Sequence, residues 1–435
     1  MGPSVDERLA AAGLPPLPRT AWLGIDLGRL AGNLAAIRRA LAPGVRIEPV
    51  VKADAYGHGM VPVARALRDA GADGLCVATL DEGFVLRDAG IDLPILVLYP
   101  APPVLALEAA RRRLTLTAGD PELLVRTLAA ARGWAGEGKA EGRTPLTLQV
   151  EVETGLGRGG LAPAEVPAAI EAIAATPGVT LVGLWSHLSA PDDAERSTDQ
   201  GRRFRAVAEL LGDGAGVARH VAATGGILAR TAEPLEGVRP GLALYGLVPE
   251  GLPVPPDAAA LAAELRPVLS LHARPVRVAD LPPDSGIGYG PSFVTARPSR
   301  IATLPLGYGD GWARAWSNRA DAIVRGRRVP LVGTVAMDAV MADVTDVPGR
   351  TVDVDDEFVL IGQQGDERIA AGELARSRTT ISWEVVTAMS RRLPRVYDAP
   401  AGVIGLRTLT FERYVWPLAS SSGTVTSATS RSTPS

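Results

Sequence analysis

The chain has 435 residues, more than one small domain needs, which points to a large domain with a smaller companion. Hydrophobic residues make up 46% and mean hydropathy is +0.13, so material for a core is ample and wholesale disorder is excluded. The 45 basic and 48 acidic residues leave a net charge of −3 with only 4% aromatics, which argues against a general nucleic-acid binder. A single cysteine, Cys76, excludes an internal disulfide and a cysteine-based zinc site and suits a reducing cytoplasm. The four histidines, His58, His187, His220 and His272, show no metal-ligand spacing, so no metal is expected. Residues 1–20 read as an N-terminal extension, and with Asp6 and Glu7 ahead of a short Ala/Leu/Pro stretch they do not resemble a secretory signal. No window approaches about 20 apolar residues, so no membrane span is expected.

From Ala21 onward, short apolar runs alternate with Ala/Leu/Arg-rich stretches of helical period. Strands are expected at 22–27, 46–53, 75–80, 94–99, 114–117, 146–153, 179–186, 220–224 and 239–245. Helices are expected between them at 30–41, 60–70, 82–89, 104–112, 121–131, 164–175, 202–211 and 226–232. Such alternation implies parallel strands with crossover helices, and eight or nine units over residues 21–248 suit a (β/α)8 barrel. A doubly wound sheet is the alternative, weakened because no G-x-G-x-x-G follows an early strand. Residues 251–256 hold three prolines and read as a linker. Residues 266–418 carry Val/Arg alternation, Gly-Tyr-Gly turns and Asp-Gly pairs, which predict a mainly-β domain with a late helix at 382–390. Residues 419–435 contain 11 Ser or Thr and few apolar groups, so they read as a disordered tail.

The strongest local signal is Val51-Lys52-Ala53-Asp54-Ala55-Tyr56-Gly57-His58-Gly59. A lysine ending an apolar strand usually snorkels to solvent. At the C-terminal end of a barrel strand, however, a desolvated lysine has a depressed pKa and can form a Schiff base.

This run resembles the pyridoxal-phosphate lysine motif of the alanine racemases. The resemblance spans about residues 20–415 and recurs at Thr154–Arg158, Trp185–Ser189, Val238–Gly246, Gly286–Gly290, Leu306–Trp312 and Gly333–Asp338. It implies a pyridoxal 5'-phosphate-binding barrel, a C-terminal β domain, a small amino-acid substrate and a homodimer whose sites take residues from both chains. By the same resemblance, Lys52 holds the cofactor and is one of two acid/base groups at the substrate Cα. Tyr289, reaching from the partner subunit, is the other. Arg239 faces the pyridine nitrogen. Because a guanidinium keeps its proton, the ring is a weak electron sink, which favours reprotonation over transamination. Tyr56, Thr224, Gly241 and Leu242 are the expected phosphate contacts. The Gly225-Gly226 turn opens a helix there. His187 flanks the ring, Arg158 binds the substrate carboxylate, and Met337 offers a backbone N–H to that carboxylate, with Asp338 beside it.

Four positions depart from the family pattern. Glu151 stands where many members carry a carbamylated lysine, and it brings a negative charge directly to orient Arg158. Trp383 replaces an entrance tyrosine that touches the phosphate. Thr334 replaces a common arginine, and Ala223 a common asparagine. The resulting expectation is a cytoplasmic alanine racemase serving peptidoglycan synthesis. The alternatives are a racemase of other or more varied small amino acids, such as serine, and a non-catalytic cofactor-binding relative. Intact Lys52 and Tyr289 count against the last. Arg239 counts against a decarboxylase, which carries an acidic residue there.

Overall fold

The computed structural model describes residues 3–136, 145–211 and 216–416. It divides into two units, Leu30–Arg266 and a second made of Met1–Arg29 with Pro267 to the C-terminus. The tail expected at 419–435 lies outside the described residues. No helix among those described is long and apolar enough to cross a membrane.

In the first unit, six parallel strands pair in chain order: Leu75–Val77, Ile95–Val97, Leu114–Ala118, Leu146–Glu151, Val179–Trp185 and Ala218–His220. Arg46–Ile47 and Gly237–Val238 form a further parallel pair. Backbone bonds join this pair to both edges of the sheet. The Val51 N–H donates to the Cys76 carbonyl at 2.8 Å, and the Arg239 N–H donates to the Ala222 carbonyl at 2.8 Å. Eight strands thus close into a (β/α)8 barrel. Strands such as Leu75–Val77 and Ile95–Val97 are short and buried on both faces because helices cover the outside and side chains fill the inside.

Two expected barrel strands are placed differently. The expected strand at 22–27 is Ala21–Asp26 of the other unit, antiparallel to Leu269–Ala273 and parallel to Arg395–Ala399. An apolar strand followed by a helix mimics a barrel repeat, and local pattern does not name the partner strand. The run expected as a strand at 239–245 turns at Gly241 into the 3-10 helix Leu242–Tyr245. Pro240 has no N–H for a ladder. The Gly241 and Ala243 N–H groups instead donate to the Thr224 hydroxyl at 3.0 and 3.2 Å. The last proline of the expected linker opens a helix, Pro256–Glu264, with Ala258 and Leu261 buried.

The second unit is a mainly antiparallel sheet. Its strands run in the spatial order Arg277–Leu281, Ser299–Leu304, Val340–Asp343, Arg327–Val332, Asp321–Val324, Phe358–Gln364, Leu269–Ala273, Ala21–Asp26, Arg395–Ala399, Gly402–Arg407 and Glu412–Tyr414. The short strand Glu367–Ile369 pairs with Phe358–Gln364. Residues before Ala21 belong to this core. Helix Val5–Ala11 starts on a capping box, with the Ser4 N–H donating to Glu7 at 2.7 Å, and buries Val5 and Leu9 against Trp22, Val396 and Leu406.

Asp310 is wholly buried in this unit. It accepts from Arg19 Nη1 at 2.7 Å and from the Gly307 N–H at 3.1 Å, and it lies 3.6 Å from Arg392 Nε. Asp310→Ala leaves the Arg19 guanidinium without its anion. Arg19 keeps some solvent contact, so the expected cost is about 3 kcal/mol, the lower end for breaking a buried pair. Denaturant melts compared with wild type check it; an unchanged midpoint would refute it.

Candidate active site

Lys52 opens a turn of unusual handedness at the C-terminal end of a barrel strand. Ala53, Asp54, Ala55 and Tyr56 have φ of 53°, 55°, 55° and 53°, a left-handed run without glycine. L-residues resist this conformation by about 1–2 kcal/mol each, so neighbours must hold it. The Ala55 N–H donates to the Val51 carbonyl at 2.9 Å, and the Gly57 N–H donates to the Ala53 carbonyl at 3.0 Å. The Met60 N–H donates to Asp54 Oδ1 at 2.9 Å, and the Ala53 N–H donates to Glu82 Oε1 at 2.6 Å. Burial, and next the Arg158 charge, hold the Lys52 amine below the usual lysine range, while Glu82 pulls the other way. The turn therefore presents a desolvated amine with an enhanced neutral, nucleophilic fraction.

Arg239 lies inside the barrel, 2% exposed. Its Nη2 donates to the Ser186 carbonyl at 2.7 Å, its Nη1 bonds His220 Nδ1, and its guanidinium lies 4.8 Å from the centre of the Trp185 ring. A guanidinium only donates, so His220 Nδ1 is an acceptor and Nε2 carries the proton. That proton goes to Gln149 Oε1 at 2.8 Å. Burial and Arg239 push the His220 pKa far down, which keeps this tautomer neutral.

The Thr224 hydroxyl receives the Gly241 and Ala243 N–H groups, and a Cβ on Gly241 would fall 2.5 Å from the Tyr56 hydroxyl. Only glycine allows that approach of backbone to phenol. Tyr56 packs on Tyr245, with ring centres 4.8 Å apart, and the Tyr245 hydroxyl donates to the Val50 carbonyl at 2.9 Å. Leu242 is buried beside them, and burial raises the Tyr56 pKa strongly, keeping it a neutral donor.

Arg158 Nη2 lies 3.5 Å from Glu151 Oε1, and its guanidinium lies 5.6 Å from the centre of the Tyr99 ring. Glu151 is buried; burial raises its pKa and Arg158 draws it back. Glu153 instead holds the loop beyond, accepting from the Gly155 and Gly157 N–H groups. Thr154, Ser186 and Gln200 form a buried chain, with Thr154 Oγ1 2.7 Å from Ser186 Oγ and Gln200 Nε2 donating to Thr154 at 3.1 Å. Gln200 Nε2 also reaches the His187 carbonyl at 3.1 Å. The His187 ring is pushed down to a pKa of about 3 by burial and by the charges of Arg239, Arg158 and Lys52. Lys52, Arg158 and Arg239 therefore share one field with Glu151 as a partial offset. This set of cationic groups suits an anionic ligand that carries a carbonyl for the amine.

A second cluster lies in the β unit. Tyr289 is 76% exposed and Met337 52% exposed. A Cβ on Gly333 would sit 2.6 Å from the Ile287 carbonyl, so the Gly286–Gly290 and Gly333–Asp338 turns pack closely. The Tyr308 and Gly309 N–H groups donate to the Ala336 and Met337 carbonyls, both at 3.0 Å. Asp338 accepts from Arg392 at 2.5 Å, and the Thr334 hydroxyl lies 3.1 Å from Ser292 Oγ. Trp383, half-buried, is the second residue of helix Ser382–Thr387. The structure thus gathers Lys52, Tyr56, Glu151, Arg158, His187, Thr224, Arg239, Gly241 and Leu242 in the barrel, and Tyr289, Thr334, Met337 and Asp338 on neighbouring turns of the β unit.

The roles of Glu82, Gln149, Tyr99 and Gln200 were not visible in the sequence, where His220 was only the first residue of the strand expected at 220–224. Glu82 had a visible signal, the capping pattern Thr79-x-x-Glu82, which names only its helix.

A closed parallel barrel with a desolvated amine and a buried guanidinium at its strand ends is the working face of an α/β-barrel enzyme. The alanine racemase N-terminal domain family matches residues 25–249, and the alanine racemase C-terminal domain family matches residues 268–397. An alanine racemase of Syntrophobacter fumaroxidans is 39% identical over 375 residues, 85% of this chain and 96% of the relative. The crystal structure of alanine racemase from Bacillus anthracis with bound L-Ala-P superposes with a TM-score of 0.80 at 32% identity, covering 91% of this chain and 99% of that one. A histidine racemase from Leuconostoc mesenteroides subsp. sake gives 0.77 at 28% identity, covering 87% and 98%. The chain belongs to the alanine racemase family.

Proposed function

We propose that the protein interconverts L- and D-alanine with pyridoxal 5'-phosphate, supplying D-alanine for peptidoglycan in the cytoplasm. The observation that carries this reading is Lys52 at a strand end in the same barrel as Arg239, whose guanidinium is locked onto a neutral His220. The cofactor, when bound, supplies the electron sink that loosens the substrate Cα proton. Lys52 anchors it and moves a proton on one face of Cα. Tyr289 serves the opposite face. Racemisation needs both, since each hand of substrate loses its proton on one side and regains one on the other. Arg239 would face the ring nitrogen and, because a guanidinium keeps its proton, would leave the sink weak and favour return of the proton to Cα. Tyr56, Thr224, Gly241 and Leu242 would hold the phosphate, and His187 would flank the ring. Arg158, oriented by Glu151, takes the substrate carboxylate with the Met337 N–H, and Asp338 supports that turn. The exposure of Tyr289 and Met337 supports a homodimer in which each copy completes the other's site.

Chiral chromatography after incubation with each proteinogenic amino acid tests the activity. Alanine is expected to racemise fastest. Thr334, shorter than the arginine it replaces, removes bulk and charge at the mouth and favours measurable turnover of serine, because small side-chain differences are worth only about 1–3 kcal/mol. Trp383→Tyr then shifts the ratio towards alanine. Absence of racemisation with every amino acid would refute the function.

Glu151→Gln is expected to lower kcat/KM for alanine about ten- to a hundredfold, the worth of one charge-assisted hydrogen bond. The pH dependence follows. As pH falls through the burial-raised Glu151 pKa, the wild-type carboxyl gains a proton and loses its hold on Arg158, so KM rises. The Gln variant lacks that rise. Added bicarbonate changes neither enzyme. Wild-type kinetics in Glu151→Gln would make the position structural.

A further inference from the structure

We propose that Glu82 is the positioning residue of Lys52, pinning the left-handed turn that aims its amine; the assignment rests on the racemase reading of Lys52. The Glu82 carboxylate takes three backbone donors from two segments. Oε1 accepts the Ala53 N–H at 2.6 Å, and Oε2 accepts the Ala78 and Thr79 N–H groups at 2.8 and 3.3 Å. Ala78 and Thr79 follow the barrel strand Leu75–Val77, so one side chain ties the peptide after Lys52 to the neighbouring strand end. Capping helix Leu80–Asp88 requires only the Oε2 contacts. The shortest of the three bonds lies outside that helix and falls on the first residue of the strained run.

The chemistry suits a carboxylate and little else. Both of its oxygens accept only, so it can serve donors on two sides at once. Glutamine offers one oxygen and turns an amino group towards the remaining N–H. The negative charge also lies near Lys52 and favours the ammonium form, opposing burial and Arg158. Glu82 thereby sets both where the amine points and how readily it sheds its proton.

The test uses full-length, cofactor-loaded protein as wild type, Glu82→Gln, and Thr79→Ala as a helix-start control that leaves the carboxylate in place. Hydrogen exchange read by mass spectrometry follows peptides covering 52–59 and 80–88. In Glu82→Gln, exchange across 52–59 is expected to accelerate about tenfold or more, while Thr79→Ala leaves that segment as in wild type. The kcat for alanine falls about tenfold in Glu82→Gln with KM changed by less than about twofold, because Arg158 is untouched. Faster exchange in 80–88 alone, with 52–59 unchanged, would reduce Glu82 to a helix cap and overturn the proposal. Should the Gln variant fail to fold, Glu82→Asp, one methylene too short to span both segments, gives the same readout. Exchange is measured without turnover, so its failure is distinct from failure of the racemase reading.

Discussion

Lys52→Ala is expected to yield a colourless protein with no measurable racemisation, and wild type a yellow, active one. Only two lysines occur in the chain, Lys52 and Lys139, so sodium borohydride followed by peptide mapping has two side-chain amines to distinguish. The adduct is expected on the peptide carrying Lys52. The activity loss should exceed the roughly 10²–10⁴-fold that an acid/base group alone contributes, because the same side chain also anchors the cofactor. The lowered amine pKa adds a signed pH dependence. Only the unprotonated amine adds to an aldehyde, so recapture of pyridoxal phosphate by stripped protein rises with pH and levels off below the 10.5 of an ordinary lysine. A borohydride adduct on Lys139 would refute the assignment.

Tyr289→Phe should keep its colour and lose about 10²–10⁴-fold in racemisation, the contribution typical of one proton-transfer group. The change removes a single oxygen from a side chain that is mostly solvent-exposed, so the fold should be unaffected. The loss should be one-sided. In deuterated water, exchange at Cα continues for the enantiomer whose proton faces Lys52 and nearly stops for the other. Near-normal turnover in both directions would assign the second base to another residue.

The barrel was legible because its strands are short apolar runs between helical stretches, a pattern written locally along the chain. Lys52 stood out as a charge at the end of such a run, whereas Arg239 was marked only by the family resemblance. The left-handed turn was not legible. Ala53-Asp54-Ala55-Tyr56 has ordinary helix formers, and its handedness comes from contacts that include a carboxylate 29 residues away. The tautomer of His220 was hidden for the same reason, since Gln149 and Arg239 reach it from other strands. The strand at Ala21–Asp26 was visible as a strand, but its partners come from the far end of the sequence. The 3-10 turn at Leu242–Tyr245 was masked by four buried apolar residues that read equally well as a strand.

That first strand has a consequence for how the chain is made. Its neighbours, Leu269–Ala273 and Arg395–Ala399, leave the ribosome only after the whole of Leu30–Arg266 has been synthesised. The barrel is continuous in sequence and can assemble during translation, while the strand carrying Trp22, Leu23 and Ile25 waits with both edges open. Unpaired apolar edges recruit other chains, so translation stalled shortly after Arg266 should leave a nascent product prone to aggregate through residues 21–26. Removing residues 1–29 from that product should restore its solubility, because the waiting strand goes with them.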